Sequence, residues 1–343
     1  MVKASALFLV VFVLIGGDPD TEDTFMNPLL PSGADPWSIY KDGYYYYTHT
    51  LGNRLEIWKT ENLADLKNAE KKVVFTPPAN TAYSKQLWAP ELHFIESTWY
   101  MYFAADDGRN ETHRIYAIYN RSQDPFAGEW KFFGKIADAT DKWAIDASVF
   151  ELNNNLYMVW SGWEGDKDGS QDIYIAAMRD PLTISSKRVC ISRPQLNWET
   201  YGPLHRDGRD INVTVNEGPQ ILHHGENLFL VYSASGCWTE RYSLGMLTAT
   251  ASDNLLDPAS WKKFSEPVFT ASPEDSVFAP GHNSFFKSPD GKEDWILYHA
   301  NAKPGQGCGR DRSPRAQPFG WTQDGKPDFG RPVSTKVAIE KPH

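Results

Sequence analysis

One pattern recurs five times along the chain, and no other feature restricts the fold as much. It first appears as GADPWSIYKDGYYYYTHT from Gly33, then as APELHFIESTWYMYFAA from Ala89 and IDASVFELNNNLYMVWSG from Ile145. It returns as NEGPQILHHGENLFLVYSAS from Asn216 and APGHNSFFKSPDGKEDWILYHA from Ala279. Each copy has a polar residue, a short apolar run, a Gly/Asn/Asp turn, and a strongly apolar run that ends in small residues. Alternating aromatic and β-branched runs broken by turn residues indicate strands. The leading polar residues Asp35, Glu91, Asp146, Glu217 and His282 are spaced by 56, 55, 71 and 65 residues. A period of that size matches one four-stranded propeller blade with its loops. The expected fold is therefore all-β, a five-bladed β-propeller spanning residues 25–340 as a single domain.

In a propeller the first strand of each blade lines the central channel. The residue that opens each of these strands then projects toward one end of the channel, so Asp35, Glu91, Asp146, Glu217 and His282 are expected to converge. Four acids and a histidine in one concavity stabilise a core poorly, because each buried charge must be desolvated. They suit a catalytic site well. Taken singly, Asp35 before Pro36 reads as no more than a turn residue. The wider gap before Glu217 holds a polar insertion, Arg193–Val215, expected as a surface loop at the channel mouth.

Composition narrows the partners. A formal net charge of −10 argues against a nucleic-acid backbone or an anionic membrane, and no Gly-rich phosphate loop is present. Aromatics make up 14% of the chain, including 13 Trp, more than a core alone usually requires; flat aromatic faces suit sugar rings. Residues 1–20 read as a secretory signal peptide: Lys3, then the apolar run ASALFLVVFVLIGG, with cleavage near Gly16–Thr21. Sequons at Asn110, Asn120 and Asn212 agree with export. Three cysteines, Cys190, Cys237 and Cys308, allow at most one disulfide; their spacing does not resemble a zinc site, and burial is the expected role of all three.

Acids converging between aromatic walls match glycosidic bond cleavage. One carboxyl protonates the leaving oxygen, a second activates water or attacks the sugar, and a third can raise the pKa of the acid. The same donors suit a calcium ion. No organic cofactor is called for, and elementary chemistry alone leaves the roles open.

The motifs GADPW (33–37), WAPELHF (88–94), WAIDASVF (143–150), NEGPQIL (216–222) and PGHNSF (280–285) together resemble glycoside hydrolase family 43 over nearly the whole mature chain. The resemblance implies a secreted inverting hydrolase, an α-L-arabinofuranosidase acting on terminal arabinose of arabinan or arabinoxylan. A β-xylosidase and an endo-arabinanase are the nearest alternatives, and a non-catalytic sugar-binding propeller is a reading from another class. It further implies Asp35 as general base, Glu217 as general acid, and Asp146 as the carboxylate that tunes that acid. His282 matches a histidine that lies beside a bound calcium, commonly with waters completing the shell. Arg312 matches a sugar-contacting arginine, with Arg315 a near rival. Trp88, Glu91 and Trp163 are expected to line the pocket, Glu91 as a hydrogen-bond partner of the sugar or of Arg312, or in catalysis itself. His49 either enters the pocket or sits on the surface, while His113, His223 and His224 are read as structural or exposed. Inversion implies carboxyls of Asp35 and Glu217 about 6.5–9.5 Å apart.

Overall fold

The computed structural model describes residues 23–206 and 208–343; the expected signal peptide lies outside them. Five antiparallel four-stranded units follow one another in sequence. The first comprises Trp37–Lys41, Tyr44–Thr48, Leu55–Thr60 and Glu70–Phe75, and the second Lys85–Ile95, Thr98–Asp106, Arg114–Asn120 and Lys131–Ile136. The third runs through Ala144–Leu152, Asn155–Gly162 and Ser170–Asp180, with Thr183–Ile184 and Val189–Ser192 sharing its outer edge. The fourth is Thr214–His224, Asn227–Ala234, Ser243–Thr250 and Lys262–Lys263, and the fifth Phe278–Lys287, Asp294–Asn301, Ser313–Trp321 and Pro327–Asp328. The first strands of successive units contact one another in a closed ring, the fifth meeting the first. This is the expected five-bladed propeller.

Both faces of each blade are buried, which is why the strands read as nearly continuous apolar runs. The side-chain alternation of a strand sends neighbours to opposite faces. Thus Tyr46 packs with Trp99 and Phe103 against the second blade, whereas Tyr45 and Tyr47 pack with Trp295 and Leu297 of the fifth. The other three blade interfaces hold their own clusters, around Tyr102 and Trp160, Leu230 and Ile173, and Val231 and Ile296. Most of the aromatic content is used here. Of the 13 Trp, only Trp88, Trp143 and Trp238 line the central cavity.

The ends close the ring. Thr24–Phe25 pairs with Ile339–Glu340, Asn27 makes two hydrogen bonds to the backbone of Ala316, and Leu29 and Gly33 donate to Pro314 and Arg312. Between the third and fourth blades, Ser170 and Gln171 pair in parallel with Thr214 and Val215. The insertion folds as a hairpin, Pro203–Arg206 with Arg209–Asn212, above a fully buried carboxylate, Glu199, held by Lys263 and the Tyr232 hydroxyl.

The cysteines depart from the expectation of simple burial. Cys237 and Cys308 form a disulfide between loops of the fourth and fifth blades, and both line the central cavity, while Cys190 is a half-buried free thiol. Among the sequons, Asn120 is buried and spends its amide on Ala127 and Ser122, so the folded chain does not offer it for glycosylation.

Candidate active site

A left-handed residue stands at the matching point of every blade, within a bulge of the first strand in the second to fifth blades and just ahead of the strand in the first. These residues are Asp35 (φ 56°), Ala89 (φ 44°), Asp146 (φ 56°), Gly218 (φ 57°) and His282 (φ 49°). Left-handed geometry costs a non-glycine residue roughly 1–2 kcal/mol, and such strain gathers where a side chain must be aimed. The blades are therefore equivalent at a position different from the one suggested by the polar residues alone. Asp35, Asp146 and His282 share it with Ala89 and Gly218. Glu217 stands one residue earlier, and Glu91 two residues later, where the other blades carry Trp37, Ser148, Gln220 and Ser284.

The small residues that end the second strands also gain a purpose. Three of them hold the bulge of the next blade, while the second blade has Ala104 at the matching position. Thr50 Oγ1 accepts the N–H of Ala89 at 2.7 Å, Ser161 donates to the carbonyl of Asn216 at 2.9 Å, and Ser233 accepts the N–H of His282 at 2.7 Å. At the ring closure His299 Nδ1 accepts the N–H of Asp35 at 3.1 Å. Accepting that proton requires a bare Nδ1, so His299 is neutral and carries its proton on Nε2. Burial, ahead of the Arg312 charge, holds its pKa well below the usual value.

Asp35, Asp146, Glu217, His282, Arg312 and Trp88 meet around one cavity of about 390 Å³. Burial by itself would raise the Asp35 carboxyl. The Arg312 charge, the His282 ring facing the carboxyl and a 2.6 Å hydrogen bond from Thr50 outweigh burial and hold Asp35 well below the usual carboxylate range. Since burial depresses His282 and His299, the permanent cation is Arg312, whose Nη1 lies 3.1 Å from Asp35 Oδ1. Glu217 goes the other way. Burial and the Asp35 charge push it up to about 7, against the opposing hydrogen bond that Tyr242 donates at 2.7 Å. Asp146 is raised well above the carboxylate range by burial and by the charges of Glu217 and Asp35, and its Oδ2 accepts the Gly218 N–H at 2.9 Å. It thereby grips the backbone next to Glu217. Two carboxyls with divergent pKa values in one pocket can serve as base and acid.

Two expected pocket residues lie elsewhere. Glu91 is buried beneath the cavity, paired with His93 at 2.9 Å and hydrogen-bonded to Gln220 rather than to Arg312. Its offset explains this, because two further residues along the strand carry it below the rim. Trp163 is fully buried behind Trp143, stacked on it at 4.7 Å, so Trp143 and not Trp163 shows its face to the cavity. Replacing Trp163 by Ala is expected to cost about 3–5 kcal/mol of stability in thermal or denaturant unfolding. His49 neither enters the pocket nor reaches the surface; it is wedged between Tyr47 and Trp58, its pKa lowered by burial to about 4. Arg315 is fully buried on backbone carbonyls of Ser276 and Asn301, away from the cavity.

Thr50, Tyr242, His299, Trp143, Trp238 and the disulfide are site elements that the motif alignment missed. A usable signal was present for some of them. Trp143 precedes Asp146 as Trp88 precedes Glu91, Thr50 follows the second strand of its copy, and His299 lies near the end of the second strand of its own.

A calcium ion takes six to eight oxygen ligands. Among the described residues no group of three His, Cys, Asp or Glu side chains is placed to hold a metal, and His282 Nδ1 faces Asp35 at 3.3 Å. No chemical step is assigned to a calcium ion.

Comparison with known proteins places the chain in a family. The profile of glycosyl hydrolases family 43 matches residues 25–327. An extracellular exo-α-(1→5)-L-arabinofuranosidase of Streptomyces avermitilis is 39% identical over 92% of this chain, and α-L-arabinofuranosidase 43 of Humicola insolens is 34% identical over 90%. Both are longer proteins, of which the chain spans 65% and 64%. The crystal structure of an α-L-arabinofuranosidase from Lactobacillus brevis superposes with a TM-score of 0.83 at 37% identity, covering 91% of this chain and 98% of that one. The chain belongs to glycosyl hydrolases family 43.

Proposed function

We propose that the protein is an exo-acting α-L-arabinofuranosidase that releases terminal arabinofuranose from arabinan or arabinoxylan by inverting hydrolysis. The observation that carries this reading is the opposed tuning of two carboxyls in one cavity: Asp35 held ionised beside Arg312, and Glu217 raised to about 7. The arabinofuranosidases among its relatives support the substrate class.

In the proposed mechanism Asp35 accepts a proton from a water poised at the anomeric carbon while Glu217 protonates the departing glycosidic oxygen. Burial and the Asp35 charge keep Glu217 protonated near neutral pH, while Asp146 fixes the backbone beside it through Gly218. Arg312 keeps Asp35 ionised and offers its remaining N–H groups to the sugar. Trp88, Trp143 and Trp238 supply flat walls. Asp168 and Arg206, an ion pair in the cavity lining, wall one side of it and favour attack at chain ends. The protein is taken to act outside the cell, as the extracellular relative does, and a disulfide fits an oxidising compartment.

Side-by-side assay on nitrophenyl α-L-arabinofuranoside, nitrophenyl β-D-xylopyranoside and linear arabinan tests the reading. Faster turnover of the arabinofuranoside, with arabinose as the product from arabinan, is expected. Preference for the xyloside, internal cleavage of arabinan, or binding without hydrolysis would each replace it.

A further inference from the structure

The Cys237–Cys308 disulfide bridges two loops that end on the two opposed carboxyls. The first loop, Ser235–Arg241, leads into Tyr242, whose hydroxyl donates to Glu217. The second, Ala302–Asp311, leads into Arg312, which donates to Asp35. The second loop reads AKPGQGCGRD, with three glycines and no large apolar side chain to anchor it. Its hydrogen bonds are local: Asn301 to Gly307, and Ala302 and Lys303 to Gln306. Among the described residues none of its hydrogen bonds reaches the fourth blade, so the disulfide is its tie across the gap. The first loop is well seated, with Trp238 Nε1 bonded to Pro203 at 2.8 Å and Ser235 to Trp198 at 2.6 Å.

From Cys308 the connection to the chemistry is short. The carbonyl of the next residue, Gly309, accepts from Arg312 Nε at 3.3 Å, and Arg312 Nη1 reaches Asp35. The main chain of Arg312 is held separately, by Gly33. What the disulfide governs is therefore the direction of the guanidinium, through the position of Gly309.

We infer that the Cys237–Cys308 disulfide is a positioning element of the catalytic site, holding the Arg312 guanidinium on Asp35 by anchoring the loop that braces it. This rests on the roles proposed for Asp35 and Glu217. Without the link the Gly-rich loop samples many conformations, Arg312 spends less time on Asp35, and the base loses its permanent counter-charge. The other groups facing Asp35 do not replace it. His282 and His299 of the fifth blade are depressed by burial, His49 and Tyr47 of the first blade are buried and uncharged, and Asp146, Glu217 and Tyr242 bring no positive charge.

The test compares the wild-type protein with Cys237→Ser/Cys308→Ser, and with wild type reduced by a water-soluble phosphine. The phosphine gives two electrons to the disulfide, water supplies the two thiol protons, and the phosphine leaves as its oxide. Hydrolysis of nitrophenyl α-L-arabinofuranoside is followed from pH 3 to 9, with unfolding temperatures measured in parallel. The expected result is an acidic limb of kcat/KM that lies below the measured range in the wild type and rises into it by about one to three pH units, as loss of a close opposite charge implies. A fall in kcat of about ten-fold is expected with it, in keeping with the sensitivity of catalysis to small misplacements. Both should appear in the reduced protein even where the double variant does not fold. A lower unfolding temperature with an unmoved pH profile and unchanged kcat would overturn the inference while leaving the roles of Asp35 and Glu217 intact. Near-normal activity of Asp35→Asn in the same assay would remove the ground for both.

Discussion

Asp35→Asn is expected to lower kcat/KM for arabinofuranoside hydrolysis by about 10²–10⁴-fold, the range a general base contributes, with unfolding close to that of the parent. The substitution is nearly isosteric and keeps an oxygen for the Thr50 hydroxyl. The His299 contact also survives, because it is made by the backbone N–H of residue 35. What disappears is the negative charge that can take a proton from water. Arg312 is then left without its anionic partner, so a modest change in stability is expected beside the large kinetic loss. Steady-state kinetics with circular dichroism on the same samples separates the two effects. Activity within a few-fold of wild type would remove Asp35 from the role of base.

Glu217→Gln carries the second large effect, and here the leaving group decides its size. An amide cannot deliver a proton, so natural arabino-oligosaccharides, whose leaving alkoxides require one, should lose about 10²–10⁴-fold. Aryl glycosides with acidic phenols should lose much less. The pH dependence follows from the raised pKa of Glu217. The acid must be protonated to act, so kcat/KM of the wild-type protein falls as pH rises through about 7, and this limb should vanish in the variant. Stability carries the same sign. The folded protein holds a proton at Glu217 between the ordinary carboxyl range and about 7, where the unfolded chain has already lost it. The contribution is complete at low pH and is lost as pH rises through that window.

The five-bladed architecture is legible in the sequence because each blade repeats strand, turn and strand with alternation that buries both faces. The catalytic position is legible to the extent that the left-handed residue is itself polar, as at Asp35, Asp146 and His282. It blurs where Ala89 or Gly218 fills that position and the acid stands beside it. The prolines would have given the better register: Pro36, Pro90 and Pro219 each follow the left-handed residue directly. The burial of Trp163 behind Trp143 and the wedging of His49 are packing outcomes set by which ring reaches the axis first, and no local pattern encodes them. The disulfide joins residues 71 apart, and three cysteines admit three possible pairs. Only the approach of the fourth and fifth blades selects Cys237 with Cys308.

The most direct test of the central claim is the configuration of the first product. Proton NMR during hydrolysis of an α-linked arabino-oligosaccharide, recorded before mutarotation, follows the anomeric signals. A water activated by Asp35 on the face opposite Glu217 yields β-arabinofuranose first, with the α anomer appearing only as the solution equilibrates. Initial release of α-arabinofuranose would show that a carboxylate attacks the sugar itself, and would contradict the roles assigned here to Asp35 and Glu217.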